Sequence, residues 1–290
     1  MSELILQSLY SGALVGGVYA LIALGLSLAF GTMRIINLAH GELVLLAAYV
    51  AYTVESRFGV NPLLALPFAL VVVCICAAVV YFLVSRLKRN RELNSLMLTF
   101  ALGMILTNGV LMIWSSDIRS TGNAAMQDAL QIGNVYSMFS ELLFFALSLA
   151  VAAALGWWLS RSWYGRAVRA VSSNRDAAKL MGINPAKVEL VSFLVAGVLA
   201  TIAGIAIFSS GVISPPLGHS LTIKAFIITV LAGVGSVPGV VLAAMLLGIT
   251  EAMTVTLFSS ALQELTGMLL FLLVLFVMPN GLFGATKRRG

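Results

Sequence analysis

The sequence predicts an all-α fold: a polytopic helical membrane bundle of about eight or nine spans with one broken, re-entrant-like segment. Composition is the first ground. The chain is 60% hydrophobic and 10% charged, with mean hydropathy +1.04, whereas soluble domains carry about 25% charge. Length is the second, because charge-free runs reach the roughly 20 apolar residues that cross a bilayer. Loop charge is the third. Arg34, the 86–91 loop, the 160–192 stretch and the tail cations Lys287, Arg288 and Arg289 hold fourteen of the seventeen basic residues, and only Arg57, Arg119 and Lys224 lie elsewhere. Basic loops stay cytoplasmic, so the N-terminus is expected outside and the C-terminus inside, with an odd number of crossings.

The charge-free runs are 4–33, 62–85, 93–116, 142–160, 190–218, 225–250 and 265–286, and a further span over about 38–52 is interrupted by His40 and Glu42. The first run is rich in small residues. Its Gly12-x-x-x-Gly16 pair permits close helix approach in lipid, and packing within one subunit is favoured over a dimer face. Residues 115–141, polar and containing Gly and Asn, form the longest outer loop and are expected to meet an extracytoplasmic partner. Glu3 and the lack of a basic stretch before the first apolar run argue against a signal peptide.

Asn37, His40 and Glu42 are costly in lipid and must face protein or water. Two readings stay open: a buried hydrogen-bond network that fixes the first two spans, or contact with a transported solute. From 222 to 258 the apolar pattern is broken by Gly233, Gly235, Pro238 and Gly239. This is either a broken helix along a solute path or a tight turn near the inner surface. Lys224 lies twelve residues before Ser236, and Glu251 twelve after Gly239. At about 1.5 Å per residue both sit roughly 18 Å from the turn. They are expected to pair or share a cavity; the competing arrangement leaves Lys224 at the outer interface.

The polar stretch 160–192 separates two blocks of spans. Within it, Asp176-Ala177-Ala178-Lys179-Leu180-Met181-Gly182 reads as a short helix. Ser173 or Asn174 caps it, the helix dipole favours Asp176 in its first turn, and Gly182 ends it in a left-handed turn. Asn184-Pro185 restarts a helix. Small side chains would let a partner surface approach closely.

This D-A-A-x-x-x-G string resembles the E-A-A-x-x-x-G loop of ABC-importer permeases, with Asp176 in place of Glu. Ile36-Asn37-Leu38-Ala39-His40-Gly41-Glu42 is similar to the I-N-F-A-H-G-E string of branched-chain amino acid permeases of the LIV type. So are Ser214-Pro215 through Gly218, Lys224-Ala225-Phe226, 230–239 and the closing 277–284. Ser214, His219 and Asp176 depart from the family pattern and leave the cargo open. The resemblance implies one permease domain, 1–290, with a cytoplasmic coupling loop, 161–188. It assigns ATPase coupling to Asp176, Ala177, Ala178 and Gly182. It also implies a second, homologous permease subunit, two ATP-binding subunits and an extracytoplasmic solute-binding protein, in a bacterial inner membrane. The cargo would be branched-chain or other amino acids, or related amides or urea. A stand-alone secondary transporter driven through Glu42 or Glu251 is the alternative.

Other chemistries are excluded. No Walker-type G-x-x-x-x-G-K-[ST], no G-x-S-x-G and no H-E-x-x-H occurs, so ATP hydrolysis falls to partners. His40 and His219 are the only histidines, and Cys74 and Cys76 point apart on one helix, so no metal site, disulfide or cofactor is expected. The positive charge sits in short loops beside spans and is no nucleic-acid signal.

Overall fold

The computed structural model describes residues 1–87, 90–233, 235–278, 281 and 282. Lys88, Arg89, Val234, Pro279, Asn280 and 283–290 lie outside the described residues, including the tail cations and half of the closing motif.

The chain runs through α1 (Ser2–Met33), α2 (His40–Phe58), α3 (Leu66–Ser85) and α4 (Arg91–Trp114). A polar connection follows, with β1 (Arg119–Ser120), α5 (Ala124–Gln127) and the hairpin of β2 (Ala129–Ile132) and β3 (Val135–Met138). Next come α6 (Phe139–Arg161), α7 (Trp163–Ser173), α8 (Arg175–Leu180) and α9 (Pro185–Ser210). β4 (Val212–Ile213), antiparallel to β1, precedes α10 (Leu217–Ala232), α11 (Val237–Leu257) and α12 (Gln263–Val277). Among the described residues seven helices are long and apolar enough to cross a membrane. α2, which carries His40 and Glu42, and α10, with 16 residues, accompany them.

α1 is the axis of the bundle. Of its most apolar window, 83% is buried inside the chain, against 17% for α4 and 11% for the helix over Ser260–Val277. Its glycines explain the central place. A Cβ on Gly12 would lie 2.7 Å from Ile249 Cα, and one on Gly16 2.7 Å from Met245 Cα. Only hydrogen side chains allow α1 and α11 this close, so the Gly12-x-x-x-Gly16 pair packs within the subunit.

Each end of the bundle is tied by polar bonds. Arg34 Nη2 donates to Ser172 O at 3.0 Å, and Leu282 N donates to Leu231 O at 2.7 Å. These contacts gather the ends of α1, α7 and α10 at the basic end. At the opposite end Gln7 bonds the backbone of Tyr136, and Thr121 donates to Glu55.

The connection from α1 to α2 is not an end-of-bundle turn. Arg34 adopts φ 55° and closes α1 by donating its N–H to Phe30 O. The chain then folds back along α1 until His40 Nε2 donates to Ile22 O at 3.0 Å; the carbonyl can only accept, so Nε2 carries the proton. Ile22 lies eleven residues before Met33, roughly 16 Å inside the bundle. Gly25 makes the approach possible, since a Cβ there would sit 2.9 Å from the imidazole. Residues 34–39 therefore run as non-helical backbone from the basic end to membrane depth, tolerated there only when its polar groups are satisfied. Leu38 N donates to Thr99 Oγ1 (3.1 Å), Ala39 N to Asn37 Oδ1 (3.1 Å) and Gly41 N to Thr222 Oγ1 (2.9 Å).

By contrast, the expected break at 233–239 joins two antiparallel helices at the basic end. Gly233 (φ 79°) and Gly235 (φ 95°) supply left-handed conformations. Ser236 Oγ caps α11 by accepting from Gly239 N at 3.1 Å, and Pro238 sits in its first turn.

Candidate functional site

The deepest polar junction lies where α2 and α10 begin. Gly41 packs on Gly218, and a Cβ on either would collide with its surroundings: Gly218 O and Thr222 around Gly41, the Glu42 carboxylate against Gly218. Glu42 is 5% exposed and also lies against Gly103 and Thr107 of α4. Among the described residues its Oε2 has no hydrogen-bond partner. Two helix N-termini meet around one carboxylate, where their dipoles favour a negative charge. Asn37 and His40 serve the same junction, Asn37 through the Ala39 N–H and His40 through α1.

A second polar centre joins α1, α10, α11 and α12. Lys224 Nζ donates to Glu251 Oε2 at 2.6 Å and to Tyr19 Oη at 2.8 Å, and it lies 4.9 Å from the Tyr19 ring centroid. Tyr19 Oη donates to Glu251 Oε2 at 3.1 Å, and Gln263 Nε2 donates to it at 2.9 Å. Glu251 is 3% exposed. Pairing is the usual remedy for a charge in a span, and three donors satisfy this carboxylate.

A cavity of about 880 Å³ opens at the basic end. It is lined by Leu24, Leu28 and Arg34 at the end of α1, Leu96 of α4, Leu155 of α6 and Arg169 of α7.

Outside the membrane-length helices, α7 and α8 fold against the start of α9. Asn174 Oδ1 accepts from Asp176 N (3.1 Å) and Ala177 N (3.0 Å). Gly182, at φ 82°, reverses the chain while Ile183 N donates back to Ala178 O at 3.1 Å. Asn184 Oδ1 then accepts from Ala186 N (3.1 Å) to start α9. Ala178 is buried with Ala167, Val171 and Val188, so this one methyl anchors the segment 176–182 to the chain's own core. Asp176, Ala177 and Gly182 are exposed, and Leu180 and Met181 are 88% and 82% exposed. Tyr164 of α7 donates to Val188 O at 2.6 Å, and burial pushes its hydroxyl up to about 12, so it remains a donor. Arg175 Nε donates to Glu189 Oε1 at 2.8 Å, a bond that raises Arg175 further above its ordinary value. Arg91 Nη2 reaches the other oxygen of Glu189 at 3.6 Å.

A family profile described as the permease component of branched-chain amino acid transport systems matches residues 8–278. The chain belongs to this permease family. The permease is 31% identical to the high-affinity branched-chain amino acid transport system permease protein BraD of Pseudomonas aeruginosa, over 96% of this chain and 95% of that one. It is 28% identical to the corresponding LivH protein of Escherichia coli K12, again over 96% and 95%. Among solved structures, PsaBC from Streptococcus pneumoniae in complex with Fab matches with TM-score 0.44 and 17% identity, covering 96% of this chain and 91% of that one.

In the permease, the residues singled out from sequence fall into four groups, one of them the turn of Gly233, Gly235, Pro238 and Gly239 between α10 and α11. Asn37 and His40 fix the segment that leads into α2, and Glu42 lies at the α2–α10 junction. Lys224 and Glu251 form the expected pair. Asp176, Ala177, Ala178 and Gly182 form the short helix and its end. Sequence reasoning missed Thr99 and Thr222, which hold the deep backbone, Tyr19 and Gln263, which complete the ion pair, and Glu189. Thr99 and Thr222 carried no signal, because a hydroxyl in an apolar helix usually bonds its own preceding turn. Glu189 carried one: it is a lone acid in the first turns of an apolar helix beside a basic loop.

Proposed function

We propose that this permease is the membrane subunit of an ABC importer for branched-chain or related amino acids. The basic end faces the cytoplasm of a bacterial inner membrane. The observation that carries this reading is the α8 knob. Leu180 and Met181, side by side and almost fully exposed, project from a polar segment outside the membrane. Asn174, Gly182 and the buried methyl of Ala178 fix the segment from behind. A rigid apolar tip with small neighbours suits insertion into a groove on a partner. The partner that serves a permease without nucleotide-binding motifs is an ATP-hydrolysing subunit, one on each of two permease subunits. The names of BraD and LivH support the cargo class.

In this reading, ATP-driven closure of the ATPases displaces α8, and the helices above it rock between outward- and inward-open states. The cavity beneath Arg34 and Arg169 is the cytoplasmic vestibule. The segment 115–141 receives an extracytoplasmic solute-binding protein. The α2–α10 junction, where backbone leaves the helical state at membrane depth, lies along the solute path. Purification of the tagged chain from its native membrane tests the partners. An ATPase is expected to co-elute, and to be lost when Leu180 and Met181 are both replaced by Glu. Retention of the ATPase by that variant would remove α8 as the docking element.

A further inference from the structure

Glu189 sits at a meeting of three elements. It belongs to the first turns of α9, is 1% exposed, accepts from Arg175 of α8 on both oxygens (2.8 and 3.5 Å), and forms an ion pair with Arg91, the first residue of α4, at 3.6 Å. A buried carboxylate attracts the guanidinium groups of both neighbouring elements, and Arg175 alone keeps it satisfied, so α8, α9 and the start of α4 meet at this point. At its other end α4 is tied to α2 by Trp114, whose Nε1 donates to Thr53 Oγ1 at 2.8 Å and whose ring lies 5.3 Å from that of Tyr49. The buried residues of α4 are Ser95, Thr99, Gly103 and Val110, a single narrow stripe of mostly small side chains. Met97, Phe100, Met104 and Ile105 are exposed. A helix with so narrow a buried stripe tilts about its tied end as a unit. About two turns beyond Arg91, the same helix carries Thr99, which accepts from Leu38 N in the non-helical segment. One turn further Gly103 meets Glu42, with Thr107 beyond it.

We propose that Glu189 and Arg91 form a mechanical joint that passes movement of α8 into α4, and through α4 to the deep segment 34–39 and Glu42. The inference rests on the importer reading above and deepens it. Arg91 and Glu189 are positioning residues. They meet neither cargo nor nucleotide; their task is to keep α4 moving with α8.

The test uses the complete transporter in proteoliposomes. Arg91→Gln is the informative change, because Glu189 keeps its bond to Arg175 and no buried acid is orphaned. Transport is expected to fall about fivefold or more while ATP hydrolysis stays within about twofold of the unmodified rate. Arg91→Lys restores most of the loss. A distance readout separates this from a structural defect. Spin labels go at position 97 on α4 and position 242 on α11, in a chain with Cys74 and Cys76 replaced by serine. ATP plus vanadate is expected to shift the distance between them in the parent chain and in Arg91→Lys, but not in Arg91→Gln. A full shift and normal coupling in Arg91→Gln would overturn the joint, as would the absence of any shift in the parent. If no ATPase co-purifies with the chain, the importer reading itself fails and the joint falls with it.

Discussion

Removing one partner of the Lys224–Glu251 pair tests how the second half of the bundle is held. Lys224→Met deletes the shortest of three hydrogen bonds to Glu251 Oε2 and leaves Tyr19 and Gln263 as donors. Removing one member of a buried ion pair costs about 3–5 kcal/mol. Two surviving donors put this case at the lower end, about 3 kcal/mol, because the carboxylate keeps partial compensation. Glu251→Leu removes the acceptor and leaves Lys224 with Tyr19 alone; with the ammonium 12% exposed, a cost of about 3 kcal/mol again follows. The double variant contains no buried charge. It strands only the neutral Tyr19 and Gln263 groups, and hydrogen bonds between helices in membranes are worth about 1–2 kcal/mol at most. It should therefore lie about 2–3 kcal/mol above the additive sum of the singles. Unfolding in mixed micelles by SDS titration, read by circular dichroism, measures all four proteins. Additivity within about 0.5 kcal/mol would refute the coupling. Charge exchange gives the functional counterpart: Lys224→Glu and Glu251→Lys each impair transport, and together they restore it.

Two further predictions concern the surface. Gly182→Val forces a β-branched residue into φ 82°, at a cost of about 1–3 kcal/mol. It is expected to displace Leu180 and Met181 and cut transport per ATP hydrolysed, while the chain still reaches the membrane, as immunoblotting of membrane fractions will record. Single cysteines at Ser120 and Gly122 are expected to react with an impermeant maleimide from outside intact cells, and those at Ser172 and Lys187 only after permeabilisation.

The helical class and the caps around 174–185 are legible in the sequence, because each depends on local chemistry: apolar run length, Asn before Pro, Gly at a reversal. The Lys224–Glu251 pair is legible too, since equal spacing from one turn fixes equal depth on antiparallel arms. The connection of α1 to α2 is not. Apolar periodicity cannot tell a helix end at the membrane surface from one followed by backbone that returns to mid-depth. The cost of that return is met by Thr99 and Thr222, which are far away in sequence. The Arg91–Glu189–Arg175 cluster fails for the same reason: its members lie on three elements whose rotation no local pattern specifies.

Uptake of radiolabelled leucine by proteoliposomes containing the purified complex measures the central claim. With the solute-binding protein on one face and ATP on the face that carries α8, uptake is expected to depend on ATP. It should stop when the ATPase partner is made hydrolysis-defective or Leu180 and Met181 are both replaced by Glu. Leucine uptake that proceeds without ATP, driven by an ion gradient alone, would contradict it.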